Sequence, residues 1–122
     1  MSQIFRAATA QGAVGAFRIV KFGTADSTCA VAAAATDALI GTSDSLAKDD
    51  GEVVDIDQRA TSQVVYGGNV TRGDPLTSDA NGAAVKAAPA AGANVRIIGF
   101  AEVSGVAGDI GTYFRNVGFM QG

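Results

Sequence analysis

The sequence predicts a mainly β protein, a small single-domain β-barrel or β-clip-like fold with hairpins and long Gly/Ala-rich loops. Three observations carry this prediction. Several short apolar segments alternate with a period of two, which is the period of a strand and not of a helix. The 16 glycines among 122 residues indicate many turns. A chain of this length favours one domain, and because much of its 48% apolar content is alanine, we expect a thin core.

The clearest local pattern is a hairpin followed by a strand. Asp79 suits the first position of a type I turn, where its carboxylate accepts backbone N–H groups, and Gly82 suits the left-handed position that closes such a turn. Asn81-Gly82 between two apolar segments is a strong hairpin signal. Residues 95–103 then alternate as a strand does. We therefore expect Asp79, Asn81 and Gly82 to shape a structural turn.

Further strands are predicted on both sides of this hairpin. They cover 16–22, 52–57, 62–66 and, as one strand or a pair, 110–119. Alternation places Val54 and Ile56 inward, and it puts Ile110, Thr112 and Phe114 on one common face. Residues 28–38 are ambiguous, because their alanine-rich run has high helix propensity while a buried strand fits the same residues.

A weak internal repeat bears on this ambiguity. At offsets of 54 to 58, Val31, Ile40-Gly41 and Gly51 recur as Val85, Ile98-Gly99 and Gly108. The second copy contains Pro89, which opposes a helix, so related copies would make residues 28–38 strand and loop. Chance similarity in an Ala/Gly-rich chain is the alternative. The period is consistent with a duplicated β-unit that forms two halves of a barrel.

The N-terminal residues carry little pattern. We predict that residues 1–12 form a flexible arm and that residues 13–122 form the β-rich domain. Ile4 and Phe5 are an apolar pair beside Arg6 in an otherwise small and polar segment. Such an arm can order against a partner, at a cost in entropy. Ile4, Phe5 and Arg6 are therefore the predicted contact residues, and a terminus without a role is the alternative.

Charge is unevenly distributed along the chain. The net charge of −3 argues against binding of nucleic acid through its phosphates. Between Asp37 and Asp57 there are seven acidic residues and one basic residue, a local charge of −6, and the remaining residues carry +3. Such asymmetry can orient docking on a charged partner. A solvated acidic loop is the alternative.

The composition excludes most catalytic chemistry. There is no histidine, which removes the commonest general base and metal ligand. The single cysteine, Cys29, allows neither a zinc–thiolate cluster nor an intrachain disulfide, and we expect it to be a small core residue. The acidic segment lacks the ligand spacing of a calcium loop. We therefore predict no enzyme activity, no metal centre and no cofactor.

No stretch approaches the roughly 20 apolar residues of a membrane span, and no signal-peptide pattern is evident. A protein made in the cytoplasm, with no membrane contact, is therefore expected.

Two segments carry a resemblance to a known family. The run Gly73–Val85 and the following Ile98–Glu102 resemble the tailed-bacteriophage capsid cement or head decoration proteins. Those proteins often carry a Gly-Asp-x-Leu-x-x-Asp-x-x-Gly hairpin and then an Ile-Gly-x-Ala strand, and the lambda-type head decoration proteins are similar. The resemblance extends over about 31–114 and is weakest toward the N-terminus.

This resemblance implies a structural virion protein that binds the outer surface of the expanded phage capsid and stabilises it, with residues 13–122 as the decoration domain. It implies the major capsid protein as partner, a homotrimer on the capsid exterior and synthesis in the host cytoplasm. Ile4, Phe5 and Arg6 would then dock on the capsid protein or a neighbouring trimer by adding a strand. The alternative is a non-catalytic β-barrel accessory or ligand-binding module of a larger assembly. Lys86, which lies past the hairpin turn and not at its tip, does not fit a carrier module.

Overall fold

The computed structural model describes residues 5–122 and places no helix among them. The ten strands within this range are β1 (Phe5–Ala10), β2 (Ile19–Phe22), β3 (Thr28–Val31), β4 (Leu39–Ser43), β5 (Val53–Asp57), β6 (Thr61–Val65), β7 (Pro75–Ser78), β8 (Ala84–Lys86), β9 (Asn94–Ala101) and β10 (Ile110–Gln121). The predicted mainly β, single-domain barrel is confirmed. Over the same range, no helix is long and apolar enough to cross a membrane.

The strands form two five-stranded units. Strands β1–β5, the first unit, close into a barrel in the order β1-β3-β2-β4-β5, with β5 pairing back to β1. Strands β6–β10, the second unit, form a sheet in the order β6-β10-β9-β7-β8. β1 pairs in parallel with β3, and a parallel bridge between Tyr66 and Ala84 joins the end of β6 to β8. The two units therefore have the same connectivity.

The internal repeat seen in the sequence is thus a repeat of structure. An isolated antiparallel bridge joins Val14 to Lys48 in the first unit, and an equivalent bridge joins Val70 to Gly105 in the second. The expectation that the two copies of the repeat form two halves of one barrel is wrong, because each copy supplies a complete set of five strands and builds its own unit.

The ambiguous residues 28–38 are strand and loop. β3 ends at Val31 and β4 begins at Leu39. Between them, the carboxylate of Asp37 accepts the N–H groups of Ala33 and Ala34 at 2.8 and 3.1 Å. This local cap holds the alanine-rich run in a turn, so its helix propensity is overridden by the strand ladders on either side.

The N-terminal boundary differs from the predicted one. Residues from Phe5 onward are not a free arm, because β1 pairs antiparallel with β5 from Phe5 to Thr9 and parallel with β3. The inward side chains of Ala8 and Ala10 are buried. Small inward residues give little hydrophobic signal, yet their strand is needed to close the barrel. Ile4 lies outside the described residues.

One continuous core joins the two units. The cluster that spans them contains Ile19, Ala32, Leu39, Val64, Tyr66, Val70, Leu76, Ala84, Ile98, Ala101 and Tyr113. The hydroxyls of Tyr113 and Thr42, both fully buried, lie 3.2 Å apart across this boundary. Arg115 donates from Nε and Nη2 to the carbonyl of Ile40 at 3.1 and 2.7 Å. The units therefore pack as one domain.

A second cluster fills the first barrel: Ala8, Ala10, Val14, Val20, Cys29, Ile40, Val54 and Ile56. The inward positions predicted for Val54 and Ile56 are confirmed, and so is the core position of Cys29. Burial raises the pKa of the Cys29 thiol, which disfavours the reactive thiolate.

The β7–β8 hairpin turns at the expected residues. Asp79 Oδ1 accepts the N–H groups of Asn81 and Ala83 at 2.8 and 3.0 Å. Gly82 has a φ of +74°, in the left-handed region. The matching turn of the first unit, between β2 and β3, puts Ser27 at a φ of +62°. One copy of the unit thus uses glycine at this position, and the other places a residue with a Cβ there.

We expect opposite effects from substituting these two positions. Gly82→Ser should cost about 1–2 kcal/mol of unfolding free energy, because an L residue is strained in this conformation and its Cβ would lie 2.6 Å from Val31 Cγ1. Ser27→Gly should leave stability unchanged or raise it by up to about 1 kcal/mol, since it relieves the same strain. Urea denaturation measures both. A Gly82→Ser protein as stable as wild type would contradict the assigned turn.

Candidate interaction surface

The most prominent feature of the described surface is a set of exposed apolar side chains on one strand. Within residues 5–122, no three histidine, cysteine or acidic side chains are grouped so that they could hold a metal ion. Strand β10, in contrast, exposes Ile110, Phe114, Val117 and Phe119 by 51, 43, 38 and 69%. We call these four residues the β10 surface.

The first half of β10 presents its apolar side chains outward because its other face fills the core. Gly111 and Tyr113 are buried, so Ile110 and Phe114 point away from the core. Phe114 stacks on Phe100 of β9, with ring centroids 5.3 Å apart and an interplanar angle of 25°. Sequence alternation had grouped Ile110 and Phe114 correctly, but it gave no sign that their face is the outer one.

The equivalent strand of the first unit keeps one exposed apolar residue, Val53, and carries a buried carboxylate, Asp57, in place of the exposed ring of Phe114. Strand β5 takes the place of β10, and equivalent ladder positions hold Val53 for Ile110, Asp55 for Thr112 and Asp57 for Phe114. An aromatic residue at position 114 is therefore not a requirement of this fold, because the same strand position functions in the first unit with a carboxylate. The apolar character of the β10 surface needs another explanation.

The second half of β10 has an open edge. Strand β6 pairs with β10 only up to Phe114, whereas Gly118–Gln121 pair with β9. The register shifts by one residue between Arg115 and Gly118, so this segment projects past β6. Backbone groups point alternately to the two sides of a strand, and those of Gly122 bond on the β9 side. The N–H and C=O groups of the alternate residues, including Phe119, therefore face a side where no described strand pairs.

A cation lies against the most exposed ring of this surface. The guanidinium carbon of Arg96 is 4.7 Å from the centroid of Phe119, a cation–π contact worth about 0.5–1 kcal/mol at an exposed site. Strands β9 and β10 contain Arg96, Arg115 and no acidic residue. The Phe119 end of the β10 surface therefore lies beside a cation, whereas exposed Glu102 and Asp109 lie next to its Ile110 end.

An oppositely charged surface lies on the first unit. The side chains of Asp49, Asp50, Glu52 and Asp55 are exposed, and none of them takes part in the ion pairs found among residues 5–122. Val53 is 57% exposed between Glu52 and Asp55. We call these five residues the acidic patch. Up to Asp57 the chain has eight acidic and four basic residues, a net charge of −4. The remaining residues include four acidic and five basic ones, a net charge of +1.

A cleft of about 170 Å³ opens where the two units meet. Its lining residues are Phe17, Ser43, Asp44, Ser45, Asp57, Arg59 and Gln63. Burial alone would raise the pKa of Asp57, but hydrogen bonds from Arg59 outweigh it and hold this pKa below its ordinary value. Arg59 donates from Nε and Nη2 to the two carboxylate oxygens of Asp57 at 3.0 and 2.7 Å. This ion pair satisfies the buried carboxylate, and we assign the cleft no chemistry.

The predicted contact residues near the N-terminus are only partly within the described range. The backbone of Phe5 pairs with that of Asp57, and Ile4 lies outside the range. The guanidinium carbon of Arg6 is 5.4 Å from the ring centroid of Phe22, which is half exposed. Sequence reasoning had not connected Phe22 with Arg6, because β1 and β2 do not pair directly and are separated by β3.

The comparisons with known proteins bear on the fold. No protein-family model and no curated protein matches the chain. Its structure is similar to the crystal structure of the head fiber gp8.5 N base in bacteriophage phi29, with a TM-score of 0.72 and 22% sequence identity. The two proteins share a fold. The similarity covers 94% of this chain and 95% of the phage protein's chain, so it includes both five-stranded units.

Proposed function

We propose that this protein is a structural protein of a bacteriophage head, which binds the major capsid protein on the outer surface of the expanded capsid and stabilises it. The observation that supports this most is the fold shared with the phi29 head fiber base over 94% of the chain. The cement-protein resemblance of Gly73–Val85 supports the same class from sequence. A fold alone does not fix function, and the motif resemblance is the second support for this proposal.

The proposed mechanism is linkage between binding and capsid state. A protein that binds the expanded shell and not its precursor stabilises the expanded state by mass action. In this proposal it acts as a homotrimer, made in the host cytoplasm, without enzyme activity and without direct contact to nucleic acid or membrane. Several weak contacts within one trimer then add to a strong attachment through effective concentration.

We place the capsid contact at Arg6 and Phe22, together with Ile4 and Phe5. Arg6 and Phe22 form an exposed cation–π pair, and both aromatic residues and arginine are enriched at protein–protein interfaces. Arg6 is separated from the β10 surface by chain position and by unit. Substitutions at Arg6 and Phe22 therefore leave the β10 surface unchanged.

We expect the double variant Arg6→Glu, Phe22→Ser to decorate expanded heads at least about tenfold more weakly than wild type, because hot-spot losses typically exceed this. Co-sedimentation with purified heads that lack the protein measures the affinity. Both side chains are exposed or half exposed, so the melting temperature should change little. Deleting residues 2–11 would be a poor test, since it removes β1 and opens the barrel.

Arg72→Glu is the matched control, because Arg72 is an exposed arginine of the second unit. Unchanged decoration by the Arg6 and Phe22 variant would contradict the proposed contact. Absence of the protein from purified virions, measured by mass spectrometry, would contradict the proposed function as a whole and would favour an accessory module of another assembly.

A further inference from the structure

We propose that the β10 surface of one molecule docks on the acidic patch of a second copy of this chain, in a head-to-tail arrangement. This inference deepens the self-association in the proposed function, since it names the two surfaces that meet. It concerns only how copies bind each other, so it can be tested without a capsid.

The first argument is the internal comparison between the two units. The units have the same connectivity, yet the outer face of β10 carries Ile110 and Phe114 where β5 carries Val53 and Asp57. Val53 is exposed as Ile110 is, but Asp57 is buried and paired with Arg59, so the exposed ring of Phe114 is a feature of the second unit that the shared connectivity does not require. Exposed apolar surface is typical of a protein–protein interaction site, and the stacking of Phe114 on Phe100 extends this surface from β10 onto β9. The open edge beside Phe119 adds backbone groups that a neighbouring chain can satisfy.

The second argument is charge. A symmetric contact centred on Phe119 would bring Arg96 of one copy toward Arg96 of the other, and like charges oppose it. The acidic patch offers the opposite arrangement, with exposed carboxylates around the apolar side chain of Val53. Apolar groups meet apolar groups, and the cation of Arg96 meets carboxylates that take part in none of the ion pairs found among residues 5–122. At the Phe119 end of the β10 surface, charge complementarity therefore favours the acidic patch of another copy.

The consequence is a heterologous interface. Each copy has one β10 surface and one acidic patch, so every molecule can donate to one neighbour and accept from another. Such head-to-tail contacts close into rings when the rotation between neighbours permits and otherwise continue as filaments. A small closed ring is the arrangement that agrees with the proposed trimer.

The test uses two variants that each lose one of the surfaces. The first, Arg96→Glu with Phe119→Ser, removes the most exposed ring of the β10 surface and the cation beside it, and keeps the acidic patch. The second, Val53→Ser with Asp55→Lys, removes the apolar centre of the acidic patch and reverses one of its charges, and keeps the β10 surface. All four side chains lie outside the two core clusters. Circular dichroism and thermal unfolding verify that each variant folds. If a double variant does not fold, the single variant Phe119→Ser or Asp55→Lys takes its place in the experiment.

Sedimentation velocity over a concentration series gives the result. We expect wild type to associate and each variant alone to associate at least about tenfold more weakly, since hot-spot truncation has effects of this size. An equimolar mixture of the two variants should form a heterodimer and nothing larger, because only one intact pair of surfaces remains. Val106→Ser, an exposed apolar residue of the loop before β10, is the matched control and should associate as wild type does.

Three outcomes overturn the proposal. A wild-type protein that stays monomeric up to its solubility limit has no such interface. Normal association of the Asp55 variant, combined with loss in the Phe119 variant, means a symmetric contact between β10 surfaces. Two folded monomeric variants that do not bind each other when mixed show that the surfaces are not complementary. None of these results depends on whether the protein is present in virions. Mass spectrometry of virions tests the proposed function separately.

Discussion

Gly99→Ala is expected to destabilise the fold by about 3 kcal/mol or more, at the upper end of what steric overpacking costs. A Cβ at Gly99 would overlap the carbonyl oxygen of Phe114 and would lie 3.0 Å from the backbone nitrogen of Asn116. Both are backbone atoms of β10, so no side chain can rotate to make room. The strands would have to separate beside the β10 bulge, which weakens the ladder that positions the β10 surface.

Gly118→Ala is the matched control in the same pair of strands. No atom lies within 4 Å of a Cβ built at Gly118, so its effect should stay within about 0.5 kcal/mol, as is usual for surface changes. Urea denaturation at neutral pH measures both variants. If the Gly99 and Gly118 variants unfold at the same urea concentration, the close approach of β9 to β10 is absent in solution.

The glycine of the repeated Ile-Gly pair has the same structural reason in both units. Gly41, in the first unit, matches Gly99, and a Cβ there would lie 2.5 Å from the carbonyl oxygen of Asp57. Asp57 and Phe114 occupy equivalent positions on β5 and β10. The repeat was visible in the sequence, but its reason is a close approach between strands. That approach exists only once the register of both ladders is set.

Local patterns were the most predictable part of the fold. The turn at Asp79 and Gly82 depends on side chains within five residues of chain, so its hydrogen bonds and left-handed glycine follow from sequence. β1 was missed because its inward residues, Ala8 and Ala10, are small. Alternation of alanine with polar residues gives little contrast, and only the partners β3 and β5 show that this segment closes a barrel.

The candidate surface could be predicted only in part. Alternation groups Ile110 with Phe114, but which face becomes the core depends on Tyr113 packing against the first unit. The contact between Arg96 and Phe119 depends on the β9–β10 register, including its one-residue shift, and no local pattern gives that shift. The contrast with β5 depends on recognising that the two units share their connectivity.

The difference between the outer surfaces of the two units offers a physical route to self-association. The units share their connectivity, yet one carries exposed carboxylates and the other an exposed ring beside Arg96, and such surfaces are complementary. The first unit has a net charge of −4, and the rest of the chain has +1. Because the two units are held in one rigid core, their surfaces cannot bind each other within a molecule without disrupting it. A second molecule is the available partner.

Tyr113 provides the last prediction, because it lies at the centre of the contact between the two units. Its ring is fully buried in the core cluster that both units share, and its hydroxyl lies 3.2 Å from that of Thr42. Tyr113→Ala should cost about 3–5 kcal/mol of unfolding free energy, the usual range for a large aromatic cavity. This is a large part of the roughly 5–15 kcal/mol that stabilises a domain, so the variant should melt far below wild type.

Tyr113→Phe is the control, and it adds a second measurement. It keeps the ring and should cost about 1 kcal/mol at neutral pH, the value of one hydrogen bond. Burial raises the pKa of Tyr113 from 10.0 to about 12, so the unfolded chain ionises first as the pH rises. The stability held by neutral Tyr113 is therefore complete below about pH 10 and decreases up to about pH 12. Urea unfolding at about pH 8 and about pH 11 measures this decrease in the free energy of unfolding, which should be larger for wild type than for Tyr113→Phe. Tyr66, whose pKa is also raised, is present in both proteins and therefore does not cause the difference. Equal losses would mean that Tyr113 is reached by water, and a Tyr113→Ala protein with near-normal stability would mean that the two units do not share a core.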